Sequence, residues 1–196
     1  MSKNTQRLLI ILVLAVVFCI IGGAVAIGAL GLAANSLKDN FADDPDKAHA
    51  MASKFISYDL PEDYNETIGI DFFFYQMIMI AETGRFRSSP IIVVTNFTTT
   101  QGMTPEQMTQ QMQKSLEQNG GQKLTLKETE TRDVTIDGQA ATLSIKEGTD
   151  QDGDDFTQWV TSFKGKSGYV ILIIQGPTEQ WDDATFNDFL ASIVTK

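Results

Sequence analysis

The run from Leu8 to Ala34 constrains this chain more than any other feature. It contains no charged residue and almost no polar one; Leu, Ile, Val, Ala and Gly fill it, with Phe18 and Cys19 inside. As a helix rising about 1.5 Å per residue it reaches roughly 40 Å, more than the about 30 Å of a hydrocarbon core. The sequence therefore predicts a transmembrane helix over residues 8–34. Lys3 and Arg7 precede the run, and Lys38, Asp39, Asp43, Asp44, Asp46 and Lys47 follow it. Basic residues stay on the cytoplasmic side, so residues 1–7 are expected as a cytoplasmic tail and the rest as exported. The competing reading is a cleaved signal peptide with Leu32-Ala33-Ala34 at the cut. Its apolar stretch is ordinarily about 7–15 residues, which favours an uncleaved anchor. Phe18 before Cys19 speaks against a lipoprotein signal, which needs a small residue there.

The second half of the run is rich in small residues. Gly22 with Ala26, and Ala24 with Gly28, have the small-xxx-small spacing that lets a second membrane helix approach closely. An integral membrane partner is one expectation; the other is that Gly and Ala are simply frequent in membrane helices. A seven-residue tail is too short for a module of its own, so activity is expected in the exported part or in the helix.

About 160 residues remain, the usual size of one domain. From Lys38 onward lie all 25 acidic residues and all but two of the 15 basic ones, a net charge of −12. That balance argues against binding nucleic acid or anionic head groups. The single cysteine, Cys19, lies in the apolar run, so the exported domain is held without disulfides. The single histidine, His49, falls in a polar stretch, 35–53, read as a juxtamembrane stalk with some helix around Asp46–Ser53. No histidine-based site is therefore expected in the folded part, residues 54–196. Asn65-Glu-Thr67 and Asn96-Phe-Thr98 match glycosylation sequons.

Along that domain, Phe55 to Pro61 alternates and stops at proline, reading as an edge strand. Ile68 to Ala81 is long and aromatic, reading as one strand buried on both faces. Asp71 and Gln76 interrupt it, which counts against a second membrane span. Pro90 to Phe97 is another strand. Thr104, Pro105 and Gln107 form a helix start with a Met108, Met112, Leu116 stripe, ended by Gly120-Gly121. A meander follows: Lys123 to Ile136, a turn at Asp137-Gly138, Ala140 to Lys146, Phe156 to Lys164 and Tyr169 to Gln175. Thr178 or Asp182 caps a last helix burying Phe186, Phe189, Leu190 and Ile193. This order predicts an α+β domain, an antiparallel sheet with helices packed on it.

Three stretches carry a resemblance. Phe55-x-x-Tyr58-x-x-Pro61-x-x-Tyr64, the turn Asp137-Gly138-Gln139-Ala140-Ala141, and Tyr169-Val-Ile-Leu-Ile-Ile-Gln175-Gly-Pro177 followed by Trp181, Phe186, Phe189 and Leu190 are similar to the PsbP-like superfamily. The likeness runs from Phe55 to Ile193. It implies an α/β/α sandwich and an accessory, assembly or binding role outside the cytoplasm, mostly without catalysis. Tyr64 stands where the family pattern has tryptophan, and no functional residue of the family can be matched.

Asp150, Asp152, Asp154 and Asp155 form the one acidic cluster that could hold a metal, calcium by its oxygen donors. The EF-hand pattern fails, with Asp155 at the sixth position and Thr161 at the twelfth. An Asp- and Gly-rich hairpin loop also serves as a plain turn. Gly165-Lys166-Ser167 lacks the first glycine of a phosphate loop, no Gly-x-Ser-x-Gly occurs, and nothing in the sequence pairs Glu82, Glu128, Glu130 or Glu147. Trp159 and Trp181 read as core or rim residues. The expectation is a membrane-anchored, non-enzymatic accessory protein; the alternative is an extracytoplasmic ligand- or calcium-binding module.

Overall fold

The computed structural model describes residues 40–72, 75–85, 88–98, 107–110, 124–150 and 152–196. The elements are β1 (Phe41–Ala42), α1 (Pro45–Ala52), β2 (Tyr64–Phe72), β3 (Tyr75–Glu82), β4 (Ile91–Phe97), β5 (Thr125–Ile136), β6 (Gln139–Thr149), β7 (Asp155–Lys164), β8 (Tyr169–Pro177) and α2 (Asp183–Ser192). Among the described residues the strands form one antiparallel sheet in the order β1-β2-β3-β4-β8-β7-β6-β5. Strands and helices combine as an α+β domain, as the order of elements predicts.

The alternation of side chains divides the core in two. Ile78, Ile80, Ile92, Val94, Leu172 and Ile174 point to the face covered by α1 and α2, where they meet Ala48, Met51, Phe186, Phe189 and Leu190. Met77, Met79, Val93, Ile171 and Ile173 point to the other face. There residues 107–110 are helical and Met108 is buried. The rest of the predicted Thr104–Gly120 helix lies outside the described residues, as does Leu8–Ala34. Among the described residues no helix is long and apolar enough to cross a membrane.

Three expectations are corrected. The aromatic run is two strands, since β2 and β3 pair antiparallel with Phe72 opposite Tyr75. The polar pair that interrupts the run marks the reversal: Asp71 faces Gln76, and the Gln76 amide donates to the Asp71 carboxylate at 3.0 Å. Phe55–Pro61 is no strand. Phe55 and Ile56 are both buried, which breaks alternation, and the segment's β pairing among the described residues is a single isolated bridge, Ser57 with Val194. Finally, residues from Asn40 onward belong to the folded body and not to a free stalk. β1 pairs with β2, and α1 buries Ala48, Met51 and Ala52. The residues that look polar in sequence lie on the outer side of a short helix, capped by Asp44 accepting from the Asp46 and Lys47 amides at 3.1 and 3.3 Å. Gly69 makes the close approach of α1 to β2 workable. A Cβ there would stand 2.9 Å from Met51 Sδ and 3.2 Å from the Ala48 backbone.

The turns and the last helix follow the sequence. Asp137 and Gly138 take φ +48° and +78°, the left-handed pair that a two-residue hairpin requires. Asp182 caps α2, accepting from the Ala184 and Thr185 amides at 3.0 and 3.4 Å. Phe186, Phe189, Leu190 and Ile193 are buried as the spacing predicts.

Candidate functional site

The acidic loop is a turn that holds itself. Asp150 Oδ1 accepts the amides of Asp152 and Asp154 at 2.9 and 3.0 Å, and the Asp150 amide donates to the Asp154 carbonyl at 3.0 Å. Gly153 supplies the left-handed residue at φ +87°. Asp150 thus spends its carboxylate on backbone N–H groups, and Asp155 already begins β7. Among the described residues no three His, Cys, Asp or Glu gather as a metal group. The calcium expectation finds no assembled ligand set in Asp150, Asp152, Asp154 and Asp155. Gly22, Ala24, Ala26 and Gly28 lie outside the described residues.

The titratable cluster that does assemble sits under α1, and His49 is in it. Its Nδ1 lies 2.8 Å from Glu66 Oε1, and the Tyr58 hydroxyl donates to the same oxygen at 3.2 Å. The Glu66 side chain is 4% exposed, whereas the His49 ring is 58% exposed. Burial, then the Glu66 charge, pushes the Tyr58 phenol far above its ordinary range, so Tyr58 remains a donor. With Glu66 accepting, a neutral His49 carries its proton on Nδ1, and its Nε2 is left as the acceptor. His49 is thus part of the folded body, not of a polar stalk as its sequence neighbourhood suggests.

A β-bulge builds this cluster. Glu66 pairs with Ile80 and Ile68 with Met79, which leaves Thr67 as the extra residue. Ile68 and Ile70 face the side of the sheet away from α1. Strict alternation would send Glu66 there too. The extra residue turns it to the α1 side, while the Thr67 hydroxyl donates to the Met79 carbonyl at 3.1 Å. No sequence pattern flags a bulge of this kind, so the partnership of His49 with Glu66, 17 positions apart, is invisible before folding.

A second polar chain crosses the same face. Lys54 Nζ pairs with Asp71 at 2.7 Å, Gln76 donates to Asp71, and Asn96 Nδ2 donates to Gln76 Oε1 at 2.8 Å and to Ser167 Oγ at 3.3 Å. Asn96 is fully buried, so this sequon is closed in the folded domain; Asn65 is exposed. Lys166, in the β7–β8 turn, donates to Ser57 Oγ at 2.8 Å and to the Ser53 carbonyl at 3.3 Å. It thereby ties that turn to the segment after α1. Trp159 and Trp181 belong to the core edge: they pack edge-on at 5.5 Å, with Phe186 beside both and Arg132 5.7 Å from the Trp159 ring centre.

No family model matches the chain, and no curated protein matches it. Solved structures share parts of the architecture at low identity. A Bacteroides thetaiotaomicron protein matches at a TM-score of 0.44 and 12% identity over 80% of this chain, which spans 48% of the length of that one. The cyanobacterial PsbP of Synechocystis matches at 0.43 and 8%, covering 73% of this chain and 94% of that chain. LpqN, involved in cell envelope biogenesis of Mycobacterium tuberculosis, matches at 0.38 and 13%, covering 88% and 98%.

Proposed function

We propose that this chain is a single-pass membrane protein whose C-terminal domain lies outside the cytoplasm and serves, without catalysis, as an accessory or assembly factor for a membrane complex. The observation that carries the reading is the charge-free run Leu8–Ala34, preceded by Lys3 and Arg7 and followed by a domain of net charge −12. The non-enzymatic part rests on the sequence, which has one histidine, no Gly-x-Ser-x-Gly and its one cysteine in the apolar run. The PsbP-like assignment of the domain rests on the motifs between Phe55 and Ile193. Small-residue spacing at Gly22, Ala24, Ala26 and Gly28 supplies the face through which the helix meets an integral partner.

Crosslinking in native membranes followed by pull-down tests this, with an anchor-swapped chain alongside. A stoichiometric membrane partner, lost on swapping and weakened by Gly22→Leu with Gly28→Leu, is the expected result. No partner in either form would overturn the accessory role and turn attention to small-molecule ligands.

A further inference from the structure

Two helices cover the same face of the sheet with unequal grip. α2 buries Phe186, Phe189 and Leu190 there, whereas α1 buries Ala48, Met51 and Ala52. Apolar stabilisation scales with the area buried, so α1 gains less from docking than α2. β1, which leads into α1, adds a two-residue pairing with β2 and one bond beside it, from the Asp71 amide to the Asn40 carbonyl at 2.9 Å. The remaining ties are polar. His49 meets Glu66 at 2.8 Å, Lys54 meets Asp71 at 2.7 Å, and Lys166 Nζ donates to the Ser53 carbonyl at 3.3 Å. Docking also leaves the Glu66 side chain only 4% exposed, and taking a carboxylate out of water costs free energy that opening returns. The attachment changes at Phe55. Phe55 and Ile56 are fully buried, and the Phe55 carbonyl accepts the Lys166 amide at 2.9 Å. The chain is therefore pinned to the body at Phe55 and strapped to it before that point.

We propose that residues 40–54 form a releasable strap that sets how far the domain reaches from the membrane. Ala34, the end of the apolar run, and Phe41 are seven residues apart, and Ala34 and Phe55 are twenty-one apart. Extended chain spans at most about 3.6 Å per residue, so the docked strap leaves a tether of about 25 Å and the released strap one of about 75 Å. Docked, the strap holds the sheet close to the membrane; lifted as far as Phe55, it lets the domain meet a membrane complex about three times as far out. This switch of reach requires Leu8–Ala34 to be an anchor and rests on that reading. β1 and α1 leave together: once off the sheet, an eight-residue helix is too short to persist in water, and two residues of β1 have no other support. Such a unit opens below the free energy of global unfolding, because few large apolar side chains hold it.

The test reads amide hydrogen exchange by NMR on the full chain in detergent. The Ala48 and Ser53 amides are bonded within α1, and the Asp71 amide on β2 is bonded to Asn40 of the strap. All three are expected to exchange at one common rate, at least tenfold above the Phe189 and Leu190 amides of α2. Fraying of α1 alone would leave Asp71 protected. Lys54→Ala is expected to raise the common rate several-fold and to leave α2 unchanged. Equal rates for α1 and α2, or an Asp71 amide that follows α2, would overturn the strap. Reach is read separately in liposomes, by energy transfer to labelled head groups from a dye on Glu179→Cys, an exposed position, in the Cys19→Ser background. Adding Lys54→Ala with His49→Ala is expected to lower the transfer. Transfer that holds while exchange rises would overturn the switch of reach. A chain recovered outside the liposomes would overturn the anchor, and the reach with it, while the exchange rates still decide whether the strap opens.

Discussion

Single residues decide how the α1 end of the domain is closed. Gly69 is the clearest case, because a Cβ there would press on Met51, Ala42 and the Ala48 backbone. Gly69→Val should lift α1 from the sheet and cost about 1–3 kcal/mol, the range for overpacking a core contact, read as a lower denaturant midpoint. Asp137 ties the β5–β6 turn to the C-terminal segment. Its carboxylate accepts the Thr195 amide at 3.0 Å and the Thr195 hydroxyl at 2.8 Å, and these bonds, the amide first, hold its pKa below the ordinary carboxylate value. A depressed acid stabilises the fold above its unfolded pKa, about 3.9, and that stability is lost as pH falls through the lower folded value. Asp137→Asn, which tolerates the left-handed φ, should therefore destabilise at neutral pH and lessen the decline below about pH 4, as thermal melts from acid to neutral pH would show. An unchanged acid profile would contradict this role. The sequence marked Asp137 as a turn residue through its glycine neighbour, but its bond to Thr195, 58 positions away, had no local sign.

At the scale of elements, periodicity carried the reading where one face is buried and the other wet. The last helix shows its stripe, its cap and its stop in ten residues, and the structure follows it. Asp182→Ala should cost about 1 kcal/mol, the usual loss for an N-cap, measured by urea unfolding. The reading failed where burial is two-sided or interrupted. A run apolar on both faces has no period to locate its reversal, so β2 and β3 looked like one strand. Phe55 and Ile56 form neither helix nor strand, because tertiary packing alone buries them. α1 looked like free stalk because its apolar side is two alanines and a methionine. The Glu66 cluster was hidden for a related reason: a bulge violates the alternation by which faces are assigned.

At the scale of the molecule, the acidic loop offers a sharp contrast between sequence and structure. Alternating aspartates suggest calcium, yet Asp150 is committed to the amides of its own turn. Millimolar calcium is therefore expected to leave the melting temperature unchanged; a concentration-dependent rise would show a site formed on binding. The proposed function requires that Leu8–Ala34 cross a membrane and that the folded domain lie on the far side from the cytoplasm. Labelling with a membrane-impermeant maleimide in intact cells tests it most directly, using Ser2→Cys and Glu179→Cys chains in the Cys19→Ser background. Labelling of Glu179→Cys is expected in intact cells, and of Ser2→Cys only after lysis. Labelling of Ser2→Cys alone in intact cells, or recovery of the full-length chain in the soluble fraction, would contradict it.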